Sequence, residues 1–129
     1  MEKKNPFEEA NRYVENARSV LKEKGEYDPL LNRYNDRKYV RAAGHYLWHA
    51  VLIALDAVFL VRKDRRTRVN IDAYRDAIRK RDRKLLTLVN DGYETLHLSM
   101  GYDGIQRKAT CDDGIRIALD IISICSGMA

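Results

Sequence analysis

From Tyr46 to Val61 the chain reads YLWHAVLIALDAVFLV, sixteen residues in which His49 and Asp56 are the polar interruptions. A bilayer-spanning helix needs about 20 apolar residues, so this run predicts a buried helix inside a protein core. The helix starts near Asp36 and runs to about Lys63. Its apolar positions (Tyr39, Val40, Ala42, Ala43, Tyr46, Leu47, Ala50, Val51, Ala54, Leu55, Val58 and Phe59) form a stripe too wide for one neighbour to cover. The rest of the chain must therefore supply helical surfaces that pack around it.

It has the means to do so. Pro6 with Glu8 and Glu9 opens a first helix, because Pro suits the first turn and acids favour the positive helix end. Phe7, Ala10, Tyr13, Val14, Ala17, Val20 and Leu21 then recur on one face, and Lys22, Lys24 and Gly25 mark its stop. Glu26–Asn35, holding Pro29, reads as a loop. A basic link, Arg62–Arg68, leads to Asn70 as the cap of a third helix carrying Ile71, Tyr74, Ile78, Leu85, Leu88, Val89, Gly92, Tyr93, Leu96 and Met100. Arg81 and Asp82 interrupt that stripe and predict a kink or short break. Gly101–Gly104 reads as a turn. A last helix follows, with Ile105, Ala109, Ile115, Ala118, Leu119, Ile122 and Cys125 inward and Gly127 at its end.

The pattern predicts an all-α, antiparallel up-down-up-down four-helix bundle with a long helix 2–3 hairpin, in one domain spanning residues 1–129. With 45% apolar and 33% charged residues the composition excludes a disordered chain, and two prolines and seven glycines are too few for the turns of an all-β sandwich. Cys111 and Cys125 lie fourteen residues apart in one helix, about 21 Å and beyond disulfide reach. Reduced, packed thiols in a cytoplasmic protein are the expectation. The opening residues Met1–Pro6 lead into charge, so no signal peptide is expected.

Arg41, His45, His49 and Asp56 fall within about 80° on the second helix. Two histidines at i and i+4 suit a metal, but Asp56 lies two turns further on, and no Glu-x-x-His motif is present. No metal, cofactor or catalytic residue is assigned; His45 and His49 are expected to flank the core and bond to tyrosines. Asp56, set among apolar residues, needs a partner: Arg75, Arg79 or a tyrosine hydroxyl.

Pairing helices 2 and 3 about a link near residue 66 sets Arg41 opposite Tyr93 and His97 near Arg37. The next turn brings in Tyr102, Asp103 and Arg107. Arg41, His45, Tyr93, His97, Tyr102 and Arg107 are thus candidates for an anion or nucleotide phosphate site, or for a structural polar cap. Arg62–Lys84 holds eleven basic and four acidic residues. It is either a solvated basic tip or a phosphate contact, and the segment offers Tyr74 as its one aromatic and no nucleic-acid motif.

The string Lys38-Tyr39-Val40-Arg41-Ala42-Ala43-Gly44-His45, continuing through Val51–Ala57, and the segment Tyr93–Gly104 together resemble a family of small bacterial four-helix proteins of unknown function. The resemblance covers nearly the whole chain. More distantly the chain is similar to the HEPN (higher eukaryotes and prokaryotes nucleotide-binding) superfamily, which includes toxin RNases and nucleotidyltransferase partners. Catalytic members carry an Arg, four to six residues, and a His on one helix. Here three residues separate Arg41 from His45 and seven separate it from His49, a departure that argues against RNase activity.

Helices 2 and 3, at about 28–30 residues, would run about 42–45 Å and outreach the other two. The resulting arm would expose Val58, Phe59, Val61, Ile71, Tyr74 and Ile78, and a soluble monomer rarely exposes such a patch. Val58, Phe59, Ile71, Tyr74 and Ile78 are therefore the expected interface of a homodimer. The leading expectation is a non-catalytic protein acting through protein interactions, with no membrane partner. The alternatives are a HEPN-like RNA- or nucleotide-associated protein (a degenerate RNase or antitoxin-type partner) and a small-ligand binder using the Arg41/His97 end.

Overall fold

A computed structural model of the chain describes residues 5–59 and 71–129. The described elements are α1 (Pro6–Lys24), β1 (Tyr27–Asp28), β2 (Arg33–Tyr34), α2 (Arg37–Val58), α3 (Ile71–Arg79), α4 (Arg83–Gly92), a π-helix (Tyr93–Tyr102) and α5 (Lys108–Met128). The fold is all-α apart from the small hairpin. Among the described residues no helix is long and apolar enough to cross a membrane.

The first two helices form where local chemistry puts them. The Asn5 side chain accepts a bond from the Phe7 amide at 2.9 Å, Glu8 and Glu9 occupy the first turn, and the Gly25 amide closes the far end on the Leu21 carbonyl. Asp36 caps α2 by accepting from the Lys38 amide at 3.1 Å. The buried face of α2 (Val40, Ala43, Gly44, Leu47, Ala50, Val51, Ala54 and Leu55) packs against α1, α5 and the π-helix. Between the two helices, the predicted loop is a tight antiparallel hairpin pairing Tyr27 with Tyr34 and Asp28 with Arg33. Asp28 Oδ1 accepts the amides of Leu30 and Leu31 and so shapes its turn.

The third helix departs most from expectation. It is broken where Arg81 and Asp82 interrupt the stripe: both their amides bond back to the Ile78 carbonyl at 2.9 Å. Asp82 then starts α4, accepting from the Leu85 amide at 3.0 Å. The chain reverses here. Arg75 Nε donates to Asn90 Oδ1 at 2.7 Å, two positions that a straight helix would hold about 22 Å apart. Because α3 folds back, the expected bare arm does not form. Phe59, Tyr74 and Ile78 are buried within the single chain, and Val58 and Ile71 are half-buried. These residues need no second copy to leave water, which removes the argument for a homodimer built on them. Helix 2 also stops at Val58 and not near Lys63, since Phe59 is extended (φ −107°, ψ 115°). Val61, the basic link Arg62–Arg68 and the expected cap Asn70 lie outside the described residues.

Asp56 receives the hydroxyl bond of Tyr74 at 2.6 Å, which is the tyrosine among its expected partners. The π-helix carries on through Gly101 to Tyr102, so the turn comes later than expected, around Gly104 with its φ of +66°. Helix α5 begins only at Lys108; Ile105 precedes it and Ala109 is exposed, so neither faces inward. Cys111 and Cys125 are free and buried on α5. Burial pushes both thiols up from 9.0, Cys111 to about 12 and Cys125 to about 11.

Candidate functional site

Helix α2 and the π-helix run antiparallel in close contact because Gly44 and Gly101 meet without side chains. A methyl group at Gly44 would lie 2.5 Å from the Gly101 nitrogen and 2.8 Å from the Leu96 oxygen. Along this seam Arg37 and Arg41 cross over Gly104, His45 lies against Gly101, and Trp48 sits beside Tyr93 and His97. Simple pairing had set Arg41 opposite Tyr93. The register differs by roughly three helical turns, because α3 folds out of the rod that pairs with α2 and moves the effective turn down the chain.

The seam opens into a concavity of about 430 Å³ lined by Tyr13 of α1, by His45, Tyr46, Trp48, His49 and Leu52 of α2, and by His97 of the π-helix. All three histidines of the chain and its one tryptophan meet here. The rings form two contacting sets. Trp48, Tyr93 and His97 lie with centroids 5.2–5.9 Å apart, and His49 meets Tyr13 edge-on at 4.6 Å. The Arg75 guanidinium, 5.2 Å from the Tyr93 centroid, closes the back of the first set. His97 Nδ1 is buried and has no hydrogen-bond partner among the described residues, a condition that costs about 1–3 kcal/mol. Among the described residues no group of three His, Cys, Asp or Glu side chains is placed to hold a metal ion.

The six candidates of the sequence reading therefore divide. His45 and His97 line the concavity, and Tyr93 contacts the rings of Trp48 and His97. Arg41 stands one turn away over Gly104. Arg107 lines a second depression, of about 270 Å³, with Leu31, Arg33, Arg37, Gly104, Ile105 and Gln106. Tyr102 is 76% exposed and lines neither hollow. Sequence reasoning did not single out Trp48, Tyr13 or Tyr46. For Trp48 the signal was present: positions 45, 48, 49 and 52 recur at helical spacing beside the core stripe. Tyr13 comes from another helix, and nothing in the sequence pairs it with His49. In the described part of the basic segment, Arg75 and Arg79 are engaged by Asp72 and Asp76, each one turn earlier; Arg62–Arg68 lie outside the described residues.

Residues 5–126 match a family model described as a domain of unknown function, DUF5618. The chain belongs to the DUF5618 family. This DUF5618 chain is also similar to a solved protein of unknown function from Dyadobacter fermentans, at 35% identity over 96% of either chain and a TM-score of 0.87. The two share their fold over nearly the whole length. No curated protein matches the chain.

Proposed function

We propose that this DUF5618 chain is a binding protein without chemistry of its own, and that the concavity on the α2–π seam holds a ligand of the nucleotide class. The observation that carries the reading is the meeting of every histidine and the one tryptophan in a single hollow, with Arg41 one turn along α2. Indole and phenol faces stack on flat rings, at about 1–3 kcal/mol per base. Imidazole and hydroxyl edges supply hydrogen bonds, and a guanidinium favours phosphate. Among the described residues no carboxylate bonds to any of the three imidazoles, so the hollow has ring faces and edges but no oriented acid–base pair. The resemblance to HEPN proteins points to the same ligand class, and the Arg41–His45 spacing sets the chain apart from the catalytic members. On this reading α1, α2, the α4–π rod and α5 are an antiparallel four-helix scaffold. The two free, buried thiols support a reducing, cytoplasmic setting.

Trp48 provides the test. Its indole N–H gives a single resonance to follow while AMP, UMP or inorganic phosphate is added. Both nucleotides are expected to shift it saturably, phosphate much less, and Arg41→Gln is expected to weaken binding about tenfold. His97→Phe should lose binding yet unfold at equal or higher urea, since it removes a partnerless buried nitrogen and keeps the ring. An indole resonance unmoved by about 5 mM of either nucleotide would refute the reading.

A further inference from the structure

Past the Arg41 end of the seam, where Arg37 crosses Gly104, the molecule carries a different surface. Leu30 is 93% exposed and Leu31 58%, side by side at the tip of the β1–β2 hairpin, and Ile105 is 39% exposed beside them. Leu31 is shared by two open depressions. One is walled by Arg33, Arg37 and Arg107; the other, of about 520 Å³, by Asn32, Arg107, Lys108, Ala109 and Asp112. An apolar ridge is thus bordered by Arg33, Arg37 and Arg107 on one side and by Arg107 with the Lys108–Asp112 pair on the other.

The cations are available. Arg33 donates to Asn35 and Arg37 to Gln106, both neutral acceptors. Among the described residues Arg33, Arg37 and Arg107 form no ion pair with a carboxylate. Lys108 is held by Asp112 at 2.6 Å. Of the nearby acids, Asp28 faces the amides of its own turn and Asp36 caps α2.

The ridge is also fixed in place. Asp28 holds the turn, the Tyr34 amide donates to the Gln106 carbonyl at 2.8 Å, and the Lys108 amide donates to the Asn32 carbonyl at 2.9 Å. The Gln106 side chain adds bonds to the carbonyls of Tyr34 and Asn35. A tip braced in this way loses little conformational freedom when it docks.

We propose that this end of the protein docks peripherally on an anionic lipid bilayer, with Leu30 and Leu31 entering the interface and Arg33, Arg37 and Arg107 meeting the headgroup phosphates. A nucleic acid would satisfy the guanidiniums and leave the leucines stranded in water. A protein partner would need a hollow of matching outline with carboxylates on both flanks. A bilayer interface offers anionic groups around apolar depth to a protruding tip of any outline. No spanning helix is required for such a contact.

Flotation of the full chain with vesicles tests the proposal. Vesicles of phosphatidylcholine and phosphatidylglycerol at roughly 3:1 should carry the protein, and phosphatidylcholine alone should not. Leu30→Ser with Leu31→Ser, and separately Arg33→Gln with Arg107→Gln, should each lower the bound fraction at least about fivefold while the circular dichroism stays unchanged. Absence of binding to the anionic vesicles overturns the proposal. So does binding that the leucine variant leaves intact, which would be adsorption by charge alone. A chain that ignores both vesicles but binds a synthetic acidic, leucine-containing peptide would assign the surface to a protein partner instead.

Discussion

Gly44→Ala probes the contact on which the ring cluster depends. A Cβ at this position would meet the Gly101 nitrogen at 2.5 Å, Met100 Cβ at 2.7 Å and the Leu96 oxygen at 2.8 Å, where ordinary contact begins at 3.4 Å. The helices would have to part by about 0.9 Å. Two of the three neighbours are backbone atoms, so no side-chain rotation provides relief. Parting loosens Leu47, Leu96 and Met100, all fully buried, and overpacking of this kind costs about 1–3 kcal/mol. With backbone in the way the upper end applies. Alanine returns about 1 kcal/mol of helix propensity, leaving a net loss of about 2 kcal/mol. Gly92→Ala isolates the propensity gain: its methyl would touch Ile117 and Ile121 at 3.5 Å, an ordinary distance, in helical backbone with φ −61° and ψ −43°. That variant should gain up to about 1 kcal/mol. Urea unfolding followed by circular dichroism compares the two. If Gly44→Ala proves as stable as Gly92→Ala, the close approach of α2 to the π-helix, and the register derived from it, is wrong.

Two further outcomes follow from buried polar groups. Tyr74→Phe removes the hydroxyl that donates to Asp56 at 2.6 Å and should cost about 1–2 kcal/mol in urea unfolding; a loss below about 0.5 kcal/mol would show the carboxylate to be adequately solvated. Alkali should also weaken the fold. Burial raises the thiols of Cys125 and Cys111 from 9.0 to about 11 and about 12, and burial together with the Asp56 bond raises Tyr74. These groups keep their protons in the folded chain after the unfolded chain has lost them. Their contribution is therefore complete below pH 9 and declines as pH rises through the folded values, by at most about 1.4 kcal/mol per pH unit for each group. Urea midpoints measured upward from about pH 8 should fall more steeply for the wild type than for the Cys111→Ala, Cys125→Ala double variant; equal slopes would refute the assignment.

Helices whose signals are local are legible in the residues alone. Caps at Asn5, Asp36 and Asp82 act within three residues, and the apolar stripes of α1 and α2 record which faces must leave water. Even the break near Arg81 was legible, because polar residues there fall on the core side. What happens after a break is not a local matter. The sequence reports that a helix stops, but whether the next segment continues or folds back depends on which surface buries more. Here Tyr74 and Ile78 find cover against the body of the molecule, while Asp56 holds the Tyr74 hydroxyl and Asn90 holds Arg75. That reversal closed the expected dimer arm and shifted the α2–π register. It carried His97 to Trp48 and left Arg107 at a separate hollow. The ring cluster belongs to tertiary structure for the same reason: Tyr13, His49 and His97 come from three elements, and only packing brings side chains so distant in sequence into one place.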